Sequence, residues 1–264
     1  MIDEGLDREL HRLAGVSRLL VATDFDGTVA PIVTHADNAR ILPEAEAALA
    51  ALQGKSGTRV ALVSGRSLAS LRRTGVSTEG RILAGSHGAE LTGIGDATAG
   101  LPGLAELDPP LTGEERERLH ALREALDDLV AGGPARHGVW LEDKPAGVAV
   151  HTRTLTESGS AGMIAAASDV ALPFAVTEKH GKRVLEFALR PSDKGETLSR
   201  IRRATGTDAV LFLGDDVTDE DGFRALTAGD LGIKIGPGDT LAAHRIPDPG
   251  TAAAVLARLA ELRG

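Results

Sequence analysis

The stretch Ser17-Arg18-Leu19-Leu20-Val21-Ala22-Thr23-Asp24-Phe25-Asp26-Gly27-Thr28 decides the fold. Residues 17–23 form a short apolar run, the pattern of a buried strand, and lead directly into a polar turn. Asp-x-Asp-Gly-Thr fixes four letters, and average residue usage puts a chance match in such a chain at roughly one in a few hundred. An Asp-Gly turn after a strand is common by itself. Two carboxylates at the end of a buried strand lie where α/β sheets bind ligands, and that favours chemistry. In extended backbone, residues two apart point the same way. Asp24 and Asp26 can therefore address one site, one as nucleophile and one as general acid/base.

Outward from this stretch the pattern repeats. Pro43–Gln53 reads as a helix with Glu44 and Glu46 in its first turn. Thr58–Val63 reads as a buried strand ending in Ser64-Gly65-Arg66, and Ser67–Arg73 as a short helix. Arg81–Ala84 is a third strand, ending in Gly85-Ser86-His87-Gly88. Later, Pro191-Ser192-Asp193 starts a helix running through Arg202. Strand Ala209–Leu213 ends in Gly214-Asp215-Asp216, and Thr218–Leu226 reads as a helix. Leu231–Ile235 is another strand and Thr251–Leu262 a closing helix. Strands alternating with helices predict α/β architecture: a doubly wound, mostly parallel sheet.

The middle of the chain differs. Leu101–Pro110 reads as a linker and Thr112–Val130 as a helix. Strands Gly138–Glu142 and Gly147–Arg153 flank a turn at Lys144-Pro145-Ala146-Gly147. Glu157–Val170 is a helix, and strands Phe174–Thr177 and Arg183–Ala188 flank Lys179-His180-Gly181-Lys182. This order predicts an inserted α+β domain over 106–189, within a core domain of 1–105 and 190–264.

Composition sets outer bounds. The 264 residues include no cysteine, which excludes disulfides, thiolate zinc sites, iron–sulfur clusters and a cysteine nucleophile. A net charge of −9 argues against nucleic-acid partners. No stretch approaches about 18 consecutive apolar residues, so no membrane span is expected. The first residues are acidic where a signal peptide needs positive charge. A cytoplasmic protein is expected, and a monomer.

A phosphate facing two carboxylates is repelled unless a cation intervenes, and hard oxygen ligands suit Mg²⁺. The run Gly214-Asp215-Asp216-Val217-Thr218-Asp219-Glu220-Asp221 is a second acidic cluster at a strand end. Acids at a helix start have a capping explanation, but Asp215 and Asp216 precede that turn. Asp215 is the expected metal ligand, with Asp216 and Asp219 supporting it. Ser64-Gly65-Arg66 offers a hydroxyl, an amide and a guanidinium at a strand-to-helix junction, where anions are favoured. Lys194 sits near a helix start that disfavours a cation, and an anionic ligand would explain it.

Asp24-Phe25-Asp26-Gly27-Thr28, Ser64-Gly65-Arg66, Lys194 and Gly214-Asp215-Asp216 with Asp219 stand in the order and spacing of the haloacid dehalogenase superfamily of phosphatases, which the whole chain resembles. Further strings narrow the likeness to the trehalose-6-phosphate phosphatases. They are Pro31, Ala84-Gly85-Ser86-His87-Gly88-Ala89-Glu90, Leu141-Glu142-Asp143-Lys144, and Val184-Leu185-Glu186 before Arg190-Pro191. The resemblance implies a haloacid dehalogenase-like core with a substrate-specifying cap. It implies Asp24 as nucleophile and Asp26 as acid/base. It implies Mg²⁺ held by Asp24, the Asp26 carbonyl and Asp215, with phosphate bound by Ser64, Gly65 and Lys194. It assigns Arg66, His87, Glu142, Lys144 and Glu186 to the sugar phosphate. The chain departs from the family at His151-Thr152-Arg153, where His-Tyr-Arg is usual, and in the wider spacing of Glu186 and Arg190. Those departures leave open a different sugar phosphate, such as a glucosylglycerate, sucrose or pseudo-disaccharide phosphate. A phosphomutase and a catalytically dead sugar-phosphate sensor are the remaining alternatives.

Overall fold

Seven strands form one sheet in the order β11-β10-β9-β1-β2-β3-β4 in the computed structural model. The structure describes residues 2–33, 38–93, 111–132, 138–144, 146–181, 183–190 and 193–264. The strands are β1 (Leu19–Thr23), β2 (Thr58–Val63), β3 (Ile82–Gly85), β4 (Glu90–Gly93), β9 (Ala209–Gly214), β10 (Leu231–Ile235) and β11 (His244–Ile246). All neighbours run parallel except β3 with β4. The chain forms two compact units: Met1–Asp108 with Asp193–Gly264, and Pro109–Ser192.

The first unit is doubly wound because its central strands are apolar on both faces. Leu19 and Val21 of β1 pack with α1 (Glu4–Ala14), α2 (Pro43–Gln53) and α8 (Pro249–Leu262), through Leu10, Leu49 and Leu256. Leu20 and Ala22 face the other way, toward Leu198 and Ile201 of α6 (Lys194–Thr205) and Phe223 of α7 (Asp219–Arg224). The order reverses at β1: β2 lies on one side and β9 on the other. That reversal opens a crevice beyond the carboxyl ends of β1 and β9, the ligand position of such sheets.

The second unit has a four-stranded antiparallel sheet, in the order β5 (Trp140–Lys144), β6 (Gly147–His151), β8 (Val184–Ala188), β7 (Thr177–Gly181). Helices α4 (Gly113–Gly132) and α5 (Glu157–Ala171) cover one face. Leu122, Leu126, Met163 and Ala167 pack there against Val148, Val150, Leu185 and Phe187. The opposite face is polar, as period-two alternation requires.

Several expected elements are corrected. The strand expected at Phe174–Thr177 begins at Thr177 and includes Lys179–Gly181; Leu172–Phe174 is a 3₁₀ turn, and Ala175 takes a left-handed φ of 49° that breaks the chain direction. The helix expected over Thr218–Leu226 covers only Asp219–Arg224. Helix α1 and strands β4 and β11 add to the expected set. The linker at Leu101–Pro110 lies outside the described residues, as do Pro145, Lys182 and Pro191-Ser192.

Candidate active site

Strand β1 ends by delivering Asp24 into the crevice, where its amide donates to Leu213 O of β9 at 2.9 Å. The chain then turns tightly: the amides of Thr28, Val29 and Ala30 all donate to Phe25 O. Gly27 sits at φ 76°, and a Cβ there would lie 2.0 Å from Asp215 Oδ2. The glycine is needed both for the turn and for the approach of the second acidic loop. Thr28 Oγ1 donates to Asp215 Oδ1 at 3.1 Å, tying the two loops together.

Lys194, at the start of α6, reaches between the carboxylates. Its Nζ lies 3.1 Å from Asp24 Oδ1 and 2.7 Å from Asp219 Oδ1. All three groups are at most 5% exposed. Asp219 is wholly committed: its Oδ2 accepts the amides of Asp215 and Asp216, each at 2.9 Å. It therefore shapes the acidic loop. Gly214 permits this, since a Cβ there would lie 2.2 Å from Asp219 Cγ. Asp216 is exposed, and its Oδ1 accepts the Val217 amide at 2.6 Å.

Charge does not balance here. Three carboxylates, Asp24, Asp215 and Asp219, have oxygens within 4.8 Å of one another around one ammonium. Burial, aided by Asp219 and Asp215, pushes the Asp24 carboxyl well above the usual carboxylate range despite Lys194. Burial and Asp219 push Asp215 up to about 6. Burial opposes the Lys194 ammonium, but Asp24 and Asp219 outweigh it and raise its pKa. Hard oxygens lacking one or two positive charges are what a divalent cation such as Mg²⁺ fits. Asp24 and Asp215 have oxygens to offer it, whereas those of Asp219 are spent on hydrogen bonds.

Asp26 is held apart from this cluster by Arg66. The Arg66 Nε and Nη2 donate to its two oxygens at 2.5 and 2.8 Å, a bidentate pair. Arg66 also donates to Ser70 Oγ and lies over the Phe25 ring. Buried Ser64 accepts the Arg66 amide on its Oγ at 3.2 Å. The His87 ring abuts Gly65: a Cβ there would lie 2.7 Å from it. Ser86 and His87 both take left-handed φ, 49° and 56°, in a turn braced by Glu90, which accepts Ser86 Oγ at 2.7 Å. Glu90 stands in the quoted Ala84–Glu90 string without an expected role, and the fold makes it a brace for this loop.

In the second unit, Glu142, Ala149, Glu186 and Lys179 occupy one cross-strand row. Glu142 pairs with Lys144 at 2.9 Å and with His151 at 2.8 Å. His151 and Lys144 hold its carboxyl down to about 2. Burial pushes Glu186 upward, partly offset by Lys144 and Lys179. Glu142, Lys144 and Glu186 thus share the polar face. Trp140 stacks on His151, with centroids 4.7 Å apart and planes 4° from parallel, beside Glu142 on that face.

The model of the trehalose-phosphatase family matches residues 22–244. The chain is similar to an uncharacterized glycosyl hydrolase of Mycobacterium tuberculosis, 34% identical, over 96% of the chain and 19% of that protein. It is similar to a trehalose-phosphate phosphatase of Mycolicibacterium paratuberculosis, 35% identical, over 90% of the chain and 61% of the relative. A probable trehalose-phosphate phosphatase 9 of Oryza sativa is 32% identical, over 88% and 67%. The chain thus spans about a fifth to two thirds of the length of these relatives. In fold it is similar to the C-terminal domain of a trehalose-6-phosphate phosphatase from C. albicans, with a TM-score of 0.71 at 20% identity over 97% of each chain. It is also similar to a haloacid dehalogenase-like hydrolase from Bacteroides thetaiotaomicron, with a TM-score of 0.61 at 16% identity over 90% of this chain and 98% of the other.

Proposed function

Because the chain belongs to the trehalose-phosphatase family, we propose that it is a Mg²⁺-dependent phosphomonoesterase that hydrolyses trehalose 6-phosphate to trehalose and phosphate. The observation that carries the reading is the cluster of buried Asp24 and Lys194 with half-buried Asp215 at the ends of β1 and β9. A phosphoryl group placed there meets a carboxylate nucleophile and a fixed ammonium. Asp24 attacks phosphorus in line and becomes a phosphoaspartate as the sugar oxygen leaves. Lys194 and Ser64 hold the phosphoryl oxygens, with the Gly65 amide beside them. Asp26 protonates the leaving sugar oxygen, then takes the proton of the water that cleaves the phosphoaspartate. The two halves need opposite states of Asp26. Both oxygens of Asp26 are engaged by Arg66, so Asp26 must turn from Arg66 to reach the leaving sugar oxygen. Asp24, the Asp26 carbonyl and Asp215 would hold Mg²⁺, whose positive charge would offset that of the phosphoryl oxygens.

The second unit acts in this reading as the cap that selects the sugar. Glu142 is kept ionised as an acceptor by its hydrogen bond with His151 and by Lys144, and Glu186 offers a second carboxyl to sugar hydroxyls. His87 and Arg66 complete the substrate contacts. A phosphorylated sugar does not cross membranes, which suits a cytoplasmic setting; no described helix is long and apolar enough to cross one.

Phosphate release across a panel of phosphorylated disaccharides tests the substrate. Trehalose 6-phosphate is expected to be the best of the panel; preference for another member would reassign the substrate within the same chemistry. For Glu142→Ala and Glu186→Ala, losing one charged hydrogen bond is worth about 1.5–3 kcal/mol, roughly ten- to a hundredfold in kcat/KM on trehalose 6-phosphate. Turnover of p-nitrophenyl phosphate, which has no sugar for the cap to hold, should change little. Equal losses on both substrates would make these carboxylates structural, and no loss on either would place sugar binding elsewhere. Trp140 is the chain's one tryptophan and there is no tyrosine, so a change in emission on adding trehalose reports on this face directly.

A further inference from the structure

Strand β10, Leu231-Gly232-Ile233-Lys234-Ile235, is buried throughout, yet it carries a lysine. Lys234 is 3% exposed. It pairs in register with Gly214, the last residue of β9, so it sits directly beneath the acidic loop. Its Nζ donates to the main-chain carbonyl of Asp215 at 2.6 Å and to that of Asp216 at 3.3 Å. Glu220 Oε1 lies 3.6 Å from the same ammonium. The other oxygen of Glu220 accepts the Leu241 amide at 2.8 Å, which fixes Glu220 from the far side.

Burying an ammonium costs several kcal/mol unless it is paired and hydrogen-bonded, so a lysine here has a reason. The acidic loop is held from two sides. Asp219 takes the amides of Asp215 and Asp216, and Lys234 takes their carbonyls. The 215–216 peptide is thereby held through both its amide and its carbonyl, and the peptides on either side of it through one group each, which fixes the direction in which the Asp215 side chain leaves the backbone. Without the brace, mutual repulsion among Asp24, Asp215 and Asp219 would drive the loop outward. We propose that Lys234 is a positioning residue that braces the acidic loop, holding Asp215 toward Asp24 and so setting the affinity of the site for its divalent cation. This rests on the metal-dependent reading of the site.

The sign of the effect separates this from simple electrostatics. Removing a positive charge near a cation site should, by Coulomb's law alone, tighten cation binding. Removing a brace should weaken it, and outer-shell partners typically contribute ten- to a hundredfold in metal affinity. The test is titration calorimetry of Mg²⁺ into the full chain and its Lys234→Met variant. Alongside it, the Mg²⁺ concentration for half-maximal hydrolysis of p-nitrophenyl phosphate is measured. The Kd and the half-maximal concentration are expected to rise about tenfold or more in Lys234→Met, with kcat at saturating Mg²⁺ within about threefold of the parent. Lys234→Arg, which keeps the charge and the donors, should recover most of the affinity. Should Lys234→Met fail to fold, Lys234→Gln, which is one atom shorter and neutral, gives the same comparison. A Kd in the folded neutral variant that is unchanged or tighter, with the parent chain binding Mg²⁺ normally, overturns the brace alone. A parent chain that binds no Mg²⁺ overturns both the brace and the metal-dependent reading.

Discussion

Asp24→Asn is expected to abolish phosphate release without harming the fold. The change keeps the shape of the side chain and removes the charge that attacks phosphorus. Loss of at least about a thousandfold, some 4 kcal/mol of barrier, follows if Asp24 is the nucleophile. Retention of more than about a tenth of parental turnover, under ~1.4 kcal/mol, would end the phosphoaspartate mechanism. The electrostatics add a second expectation that a merely structural aspartate would not meet. Asp24 is one of three crowded carboxylates around Lys194, and burial already disfavours its charge. Replacing it with a neutral amide relieves repulsion and leaves Lys194 its 2.7 Å partner Asp219. The Tm of Asp24→Asn in chelator should therefore equal or exceed that of the parent chain, as read by circular dichroism or calorimetry.

Chelation is expected to have an effect of similar size. Exhaustive removal of divalent ions should abolish turnover, and Mg²⁺ should restore it. Ca²⁺ should compete and inhibit, because its larger, looser coordination spoils the in-line arrangement that Mg²⁺ permits. Stability should follow occupancy. Mg²⁺ at a hundredfold over its Kd stabilises the native state by about 2.7 kcal/mol, visible as a rise of several degrees in the Tm of the first unit. The same addition to Asp24→Asn should give a smaller shift, since a ligand is missing. Full activity after exhaustive chelation would overturn the metal assignment, and an equal thermal shift in the variant would remove Asp24 from the metal site.

The α/β class, the central strands and the junctions where Asp24, Ser64 and Asp215 stand are legible in the sequence. The physical reason is that parallel strands buried on both faces must be continuous apolar runs, and the polar turns after them are then unmistakable. Thr58–Val63 and Leu231–Ile235 are legible residue for residue on this ground. Edge elements are not, since a strand paired on one side needs no long apolar run. Hence β4 passes as a loop, and polar Lys179–Gly181 passes as a turn although it pairs with β8. Helix α1 was legible in principle, with Leu6, Leu10 and Leu13 on one stripe.

Which charged group partners which emerges with the fold. Asp24 and Asp26, two apart, need not share surroundings: one meets Lys194, 170 positions along the chain, and the other meets Arg66. Asp219 sits in an acidic run from which the sequence singles out Asp215 as the metal ligand, with Asp216 and Asp219 supporting it. The fold alone spends its two oxygens on Lys194 and two amides, leaving Asp215 as the open carboxylate. Lys234 carried a sequence signal, a lone charge in an apolar strand, but its purpose depends on the β9–β10 register that sets it under Asp215. Patterns of burial are local and periodic, so a sequence displays them. Pairing of charges across strands depends on register and on the crossing of loops, which arise only once the sheet has closed around its core.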